Sequence, residues 1–156
     1  MKTLAHTALA IAHTLAAAAW FGSMFYSLTV LHPRAGQFFK SAEEFEEFIS
    51  TVSRGARWKV ISALAFIATT GLLLLPLTWR PTSPTWLALI AAKSLALLLA
   101  AAIFYHASWR LWPRRIFATP AELPAIHRSF RRIAITLITL AAISIALGVL
   151  AHVLPG

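Results

Sequence analysis

The first long apolar stretch of the chain, Leu4–Leu31, constrains the fold more than any other feature. It contains no Asp, Glu, Lys or Arg over 28 residues. As an α-helix rising about 1.5 Å per residue, it would measure roughly 40 Å, which exceeds the ~30 Å hydrocarbon core of a bilayer. Three further apolar runs are long enough to span: Val60–Trp79, Trp86–Trp109 and Ile133–Leu154. The pattern predicts an all-α integral membrane protein whose single domain is a bundle of four transmembrane helices.

The composition also indicates a membrane protein. Hydrophobic residues make up 59% of the 156 residues and charged residues 12%, whereas a soluble domain has about 25% charged residues. The chain contains no cysteine, which excludes a disulfide framework and a thiolate metal site. Ala16–Ala19 resembles a signal-peptide cleavage site, but the apolar run continues to Leu31. We therefore expect an uncleaved helix. No internal repeat stands out beyond a shared bias towards Ala and Leu.

The basic residues predict the orientation of the chain. The formal net charge is +9, and eleven basic residues lie in the first and third loops: Arg34, Lys40, Arg54, Arg57, Lys59, Arg110, Arg114, Arg115, Arg128, Arg131 and Arg132. Only Lys2 and Arg80 belong to the opposite side. The positive-inside rule predicts a multi-pass protein of a bacterial-type inner (plasma) membrane, with both termini extracytoplasmic. Because the charges flank apolar runs, we expect anionic lipid headgroups as partners and no nucleic acid.

The first cytoplasmic loop is predicted to contain a short amphipathic helix over Ala42–Val52. Ser41 and Glu44 have the spacing of a capping box, in which the serine caps the helix N-terminus. Apolar residues then recur three and four positions apart, at Phe45, Phe48 and Ile49. Such a helix is expected to lie on the inner membrane surface.

Polar side chains inside the apolar runs mark the candidate site. His6, His13 and Trp20 follow one another at intervals of seven residues. Seven residues turn a helix by about 700°, which is about 20° short of two full turns, so the three side chains form one stripe. An imidazole in contact with lipid is costly. We therefore expect this stripe to face protein, water or a bound group.

Depth in the membrane groups some of these residues. Lys93, the single charge in the third run, and His13 are predicted at a similar depth in the outer half of the bilayer. His6 and His152 also belong to the outer side, whereas His106 lies near the inner end of its helix. Lys93 could instead extend towards the surface by snorkelling. No predicted helix contains a carboxylate that would pair with it.

These residue types favour a porphyrin ligand. Copper(I) prefers Cys and Met, but the chain has no Cys and a single internal methionine, Met24. Proton- or sodium-coupled carriers usually place acids within the membrane, and all five acids here lie in loops. Haem b fits better, because histidine supplies an axial ligand and a cation pairs with the propionates. The predicted cofactor-binding set is His6, His13, Trp20, Lys93, His106 and His152, with His13 and His6 as metal ligands.

Several motifs resemble a known group of membrane proteins. They are His13-x6-Trp20-Phe21-x3-Phe25-Tyr26, Lys93 followed by Tyr105-His106, Arg54-Gly55-Ala56-Arg57-Trp58 and Thr70-Gly71. The first two resemble helices of HemJ-type bacterial protoporphyrinogen oxidases and of copper-resistance D (CopD-like) domains. The oxidase type implies a four-helix, haem b-containing enzyme of the inner membrane, with its histidine at His13 and its lysine at Lys93. The oxidases have Leu-Pro-Arg after the aromatic pair, whereas His32-Pro33-Arg34 here is more similar to the CopD-like branch.

Three functions remain open from the sequence. The first is haem b or porphyrin binding for membrane redox chemistry, with an oxidoreductase of the protoporphyrinogen-oxidase type as the implied enzyme. The second is copper transport or tolerance without redox catalysis, and the third is a structural subunit of a larger complex. A quinone and a second copy of the chain are further candidate partners. The residues do not identify a catalytic group.

Overall fold

The computed structural model describes residues 2–78 and 83–153, and all regular elements within these ranges are helical. In chain order they are α1 (Lys2–Tyr26), a π-helical segment (Ser27–Leu31), α2 (His32–Phe38), α3 (Ala42–Val52), α4 (Ala56–Thr78), α5 (Pro84–His106), a second π-helical segment (Ala107–Leu111), α6 (Trp112–Ile116) and α7 (Leu123–Val153).

Four stretches of helix are long and apolar enough to cross a membrane: Leu4–Phe38, Ala56–Thr78, Pro84–Ile116 and Leu123–Val153. The predicted all-α class with four membrane-spanning helices is thereby confirmed, and the chain is a multi-pass membrane protein by this criterion. The spans expose large apolar side chains such as Leu72 and Leu98, which suits contact with lipid. The predicted helix ends at Trp79 and Leu154, and the loop residue Arg80, lie outside the described residues.

The helices extend beyond the apolar runs that predicted them. α7 begins at Leu123 and not at Ile133, and α4 begins at Ala56 and not at Val60. The added residues of α7 include Arg128, which is exposed. Hydropathy marks the part of a helix that lies in lipid, and a helix that continues into the headgroup layer has no apolar signal there.

The predicted amphipathic helix of the first loop is present as α3, with the predicted bounds. Its N-cap is Ser41, whose hydroxyl oxygen accepts the backbone N–H of Glu44 at 3.1 Å. Ile49 on its inner face is 2% exposed. The chain then turns sharply at Gly55, whose φ of 76° is readily adopted only without a side chain. α3 therefore ends before this turn, and α4 begins directly after it at Ala56.

Polar side chains fasten α3 to the second half of the chain. The Glu46 carboxylate accepts hydrogen bonds from Arg115 Nε at 2.7 Å and Nη2 at 3.0 Å, and lies 2.6 Å from His127 Nε2. The Arg115 guanidinium also lies over the rings of Trp112 and Phe130. We call Glu46, Arg115 and His127 the clasp. It joins α3 to α6 and α7 at the end of the bundle that carries most basic residues.

Both π-helical segments directly precede a helix with proline in its first turn, Pro33 or Pro113. Proline lacks a backbone N–H and cannot donate the usual helical hydrogen bond, and a wider turn relieves the resulting conflict. In the second segment, Arg57 of α4 donates Nη2–H to the Ser108 carbonyl at 2.6 Å and lies 4.6 Å from the Trp109 ring centroid. α4 thus supports the widened turn that follows α5.

The bundle is built from two helix pairs. α1 packs along α4 and α5 packs along α7, whereas α4 touches α5 only sparsely. A central apolar cluster joins the pairs and consists of Trp20, Leu64, Ile67, Ala100, Leu137 and Ala141. The candidate site lies beside this cluster, on the side away from the clasp.

Candidate functional site

Three helices contribute to a polar network inside the bundle. His13 of α1 places Nδ1 2.8 Å from Thr70 Oγ1 of α4 and Nε2 3.3 Å from Lys93 Nζ of α5. His13 and Thr70 are 8% and 4% exposed. The histidine and the lysine that were predicted at similar depth are therefore direct neighbours. We call His13, Thr70 and Lys93 the polar trio.

The hydrogen-bond partners of Thr70 determine the proton positions in the trio. The Thr70 hydroxyl lies 2.7 Å from the Phe66 carbonyl oxygen and 3.2 Å from that of Ile67, both of which only accept. The hydroxyl therefore donates to the α4 backbone, and its oxygen accepts Nδ1–H of His13. Because an ammonium group only donates, His13 Nε2 accepts from Lys93 and carries no proton. The unprotonated nitrogen is the one that could ligate a metal.

Two glycines leave room for the trio. A Cβ atom at Gly71 of α4 would lie 3.3 Å from His13 Cε1, and one at Gly148 of α7 would lie 3.1 Å from Lys93 Nζ. Both distances are shorter than ordinary carbon contacts. Small residues at these two positions allow α4 to approach the histidine and α7 to approach the lysine.

Lys93 has no carboxylate partner among the described residues. The acidic residues of the chain are Glu43, Glu44, Glu46, Glu47 and Glu122, and all lie outside the four spans. Its described hydrogen-bond partner is the His13 imidazole. An ammonium group removed from water is costly without an opposite charge. The site therefore has a buried lysine whose counter-ion none of the residues 2–78 and 83–153 supplies.

Trp20 has a buried hydrogen-bond donor that no described residue satisfies. The side chain is 6% exposed within the central cluster, and its indole Nε1–H has no acceptor in the described part of the chain. A buried donor without a partner costs about 1–3 kcal/mol. Trp20 follows His13 by seven residues, or about two helical turns, on the same side of α1. An acceptor from a bound group would satisfy this donor.

The other predicted site residues lie outside the trio. His6 is half-buried on α1, and His152 is exposed on α7, one helical turn beyond Gly148. His106 is exposed at the last position of α5 and is separated from Lys93 by roughly 20 Å of helix. Their cofactor-binding roles, and the metal-binding role of His6, stay predictions.

The arrangement offers a metal one protein nitrogen. No group of three or more His, Cys, Asp or Glu side chains that could hold a metal ion occurs within residues 2–78 and 83–153. A free ion in a protein usually has three or four protein donors. A metal held at His13 would need most of its ligands from elsewhere, as in a macrocycle.

Sequence reasoning assigned no site role to Thr70 or Gly148. Threonine is common in transmembrane helices, where its hydroxyl usually bonds to the backbone one turn earlier, so Thr70 alone has no distinctive signal. Two indications were available: Thr70-Gly71 is one of the motifs that carry the resemblance, and a small residue such as Gly71 in an apolar span marks a close helix approach. Gly148 is the one glycine of the fourth apolar run, and it likewise indicates a close approach of a neighbouring helix.

The clasp is the second polar cluster, and it is held by charge. Partial burial raises the pKa of Glu46, but hydrogen bonds and positive charge from Arg115 and His127 outweigh that effect. The pKa of Glu46 therefore lies below its usual value of 4.5. The carboxylate stays ionised at neutral pH and binds α3 to the rest of the bundle.

Compared with protein-family models, curated proteins and solved structures, the chain matches none of them.

Proposed function

We propose that the protein binds haem b, or a closely related porphyrin, between its two helix pairs and serves membrane redox chemistry. The observation that carries the proposal is the 3.3 Å approach of His13 Nε2 to Lys93 Nζ in a bundle whose spans contain no acid. This site offers one ligating nitrogen and one unneutralised cation. Haem b has a metal for the first and propionates for the second.

The surroundings of His13 support an axial-ligand role. Metal-ligating histidines almost always donate their second ring N–H to a protein oxygen, which fixes the ring and its tautomer. Thr70 provides that oxygen for Nδ1, and its own hydroxyl is fixed on the α4 backbone. Nε2 is thereby held with its lone pair towards Lys93 of α5.

Lys93 and Trp20 support an anionic or acceptor-rich ligand. Lys93 would pair with a carboxylate of the ligand, and Trp20 has an unused N–H at the edge of the same region. Lys93 must move away from Nε2 before a ligand occupies that nitrogen, and its four-carbon stem allows this motion. α4 and α5 contact each other only sparsely, and the side between these two helices is the one from which an apolar planar group would enter.

The chemistry divides between ligand and protein. Bound haem supplies an iron that exchanges single electrons. His13 would hold the metal, Lys93 would neutralise the ligand's charge, and the apolar spans would exclude water. A quinone dissolved in the bilayer is the electron partner that this location favours.

Removal of the Lys93 charge tests the proposal. Lys93→Met keeps the length and the apolar stem, so the helical circular dichroism should not change. Loss of a charge-assisted hydrogen bond costs ~1.5–3 kcal/mol, which is roughly a ten- to hundredfold weaker affinity. Titration of haem b into detergent-purified protein measures this change. The control is Lys93→Arg, which keeps the charge and should retain most of the affinity.

Equal haem affinity in wild type and Lys93→Met would show that Lys93 pairs with no part of the ligand. Absence of saturable haem binding by the wild type would contradict the proposal as a whole. In that event, copper content measured on the same preparation decides between the copper-transport alternative and a structural role.

A further inference from the structure

The first and third membrane-spanning stretches, which begin with α1 and α5, contain the same elements in the same order. α1 ends at Tyr26 and α5 ends at His106, so the positions differ by 80 residues. The same shift relates the π-helical segments Ser27–Leu31 and Ala107–Leu111, and the helices that follow each of them. It also relates the motifs Leu31-x-Pro33-Arg34 and Leu111-x-Pro113-Arg114. Unrelated helices would not share this order of rare elements, because π-helical segments are uncommon.

The same shift brings His13 onto Lys93. Each of these side chains also faces a glycine of the helix paired with its own, Gly71 of α4 or Gly148 of α7. A shift of 77 residues relates the two glycines and therefore relates α4 to α7. The chain thus contains two hairpins of the same design, α1 with α4 and α5 with α7.

Four of the six residues of the central cluster follow the same correspondence. Trp20 and Ala100 are equivalent under the first shift, Leu64 and Ala141 under the second, and all four belong to the central cluster. In each case the first hairpin contributes a large side chain and the second contributes alanine. Two large copies would collide at the centre of a symmetric core, and a large residue opposite a small one fills the same space.

Contact between equivalent residues locates the symmetry axis. In a twofold arrangement, a residue meets its own copy only when it lies next to the axis. His13 and Lys93 are equivalent and lie 3.3 Å apart at their side-chain nitrogens. Parallel repeats of this kind in membrane proteins are related by an axis along the membrane normal.

We propose that the chain is two repeats of one helical hairpin related by a pseudo-twofold axis. His13 and Lys93 are then the diverged copies of one position on that axis, and a ligand bound there is gripped by one group from each hairpin. The claim that a ligand is gripped there rests on the proposed porphyrin function, whereas the repeat itself does not. It follows that histidine and lysine are interchangeable between the two positions when their neighbours are exchanged with them.

An exchange variant tests this interchangeability. It combines H13K with K93H, and T70L with L147T, because Leu147 precedes Gly148 as Thr70 precedes Gly71. The H13K variant alone places two ammonium groups together in the membrane, so its thermal midpoint should fall well below that of wild type. The exchange variant, with all four substitutions, should recover most of the lost thermal midpoint. Its haem affinity should lie within about threefold of that of wild type.

A control variant shifts the histidine by one residue. It carries H13K, T70L and L147T together with A92H and K93A, which places the imidazole at an exposed position about 100° away on α5. K93A removes the repulsion between the ammonium groups, but the lysine at position 13 then has no imidazole acceptor at position 93, so this variant should have a thermal midpoint below that of the exchange variant and should not recover the affinity. Equal midpoints for the exchange and control variants would overturn the equivalence of the two positions. A wild type without haem binding would refute the porphyrin function, and the thermal comparison would still decide the repeat.

Spin-label distances test the repeat without changing the site. The chain has no native cysteine, so introduced cysteines react selectively. Leu15 and Leu95 are equivalent and 64% and 57% exposed, and Leu72 and Val149 are equivalent and 66% and 58% exposed. The label pair at positions 15 and 72 and the pair at 95 and 149 should give coincident distance distributions. Distributions that differ by more than about one helical turn, ~5 Å, would contradict the repeat.

Discussion

At the scale of single residues, the constraint on His13 at both ring nitrogens distinguishes it from the other histidines. Thr70 accepts at Nδ1 and Lys93 donates at Nε2. A histidine that merely extended to the membrane surface would not be 8% exposed beside another buried polar side chain. The hydroxyl of Thr70 fixes the tautomer from the Nδ1 side, as Lys93 does from the Nε2 side.

Thr70→Val is therefore expected to weaken haem binding by about ten- to a hundredfold. This is the usual effect of removing the oxygen that accepts the second ring N–H of a metal-ligating histidine. Valine keeps the shape but removes the hydroxyl oxygen that accepts from Nδ1. The measurement is a haem titration on purified protein, together with the position of the Soret band. Thr70→Ser is the matched control and should resemble wild type. An unchanged affinity in Thr70→Val would mean that the tautomer of His13 does not matter for binding.

The sequence indicated some members of the trio and not others. His13 and Lys93 stood out because ionisable groups are rare in apolar runs and their depth could be counted from the loops. Thr70 could not be singled out, since its hydroxyl bonds to its own helix in any transmembrane context. The partnership of Nδ1 with Thr70 depends on how α1 rotates against α4, which periodicity does not specify.

At the scale of helices, the clasp decides how α3 is held. Its carboxylate is Glu46, whose side chain is 23% exposed, while that of Arg115 is 5% exposed. An arginine so deeply buried needs its partner, because an unpaired guanidinium would remain desolvated. α3 is therefore held by this ion pair as well as by its apolar face.

Glu46→Gln is expected to lower stability by about 1–3 kcal/mol, the cost of losing charged hydrogen bonds that are partly buried. Because the pKa of Glu46 is lower in the folded protein than its usual 4.5, this stabilisation is complete above that value. It is lost as the pH falls further, through the lowered folded pKa. Thermal unfolding in detergent between pH 3 and pH 7, values chosen to bracket the usual value, measures both effects.

The control for the clasp is Glu47→Gln, which removes a carboxylate from the next, exposed position of α3. It should leave the thermal midpoint and its pH dependence nearly unchanged. If Glu46→Gln and Glu47→Gln behaved alike, the ion pair with Arg115 would not be what holds α3.

Element boundaries were predictable where local chemistry sets them. The bounds of α3 followed from a serine cap and apolar spacing, both of which depend on neighbouring residues alone. The start of α7 at Leu123 was missed because a charged segment of helix has no hydropathy signal. The π-helical segments were also missed, since proline after an apolar run indicates a disturbed helix but not which kind.

At the scale of the whole molecule, charge and symmetry organise the bundle. The first and third loops carry eleven basic residues, and the clasp joins the two hairpins at that end. The four-helix class followed from hydropathy, whereas the pairing of helices did not. The repeat is hard to see in the sequence because, apart from the short Leu-x-Pro-Arg motif, the two hairpins share mainly Ala and Leu, which any apolar helix would share.

The charge asymmetry predicts that both termini lie outside the cytoplasm. A reporter that is active only in the cytoplasm should therefore be silent when it is fused after Gly156. The same reporter fused after Ala118, in the third loop, should be active. The reverse pattern would place the basic loops outside and would contradict the positive-inside assignment.

The absorption spectrum of the protein extracted from its membrane tests the haem site most directly. Wild type should show a Soret band, and sharper visible bands after reduction with dithionite. His13→Ala should lose the band, or change a low-spin spectrum to a high-spin one, because the iron loses its axial nitrogen. His106→Ala, roughly 20 Å along α5 from Lys93, should keep the wild-type spectrum. A His13→Ala variant with the wild-type spectrum at full haem occupancy would contradict the assignment of His13 as the ligand.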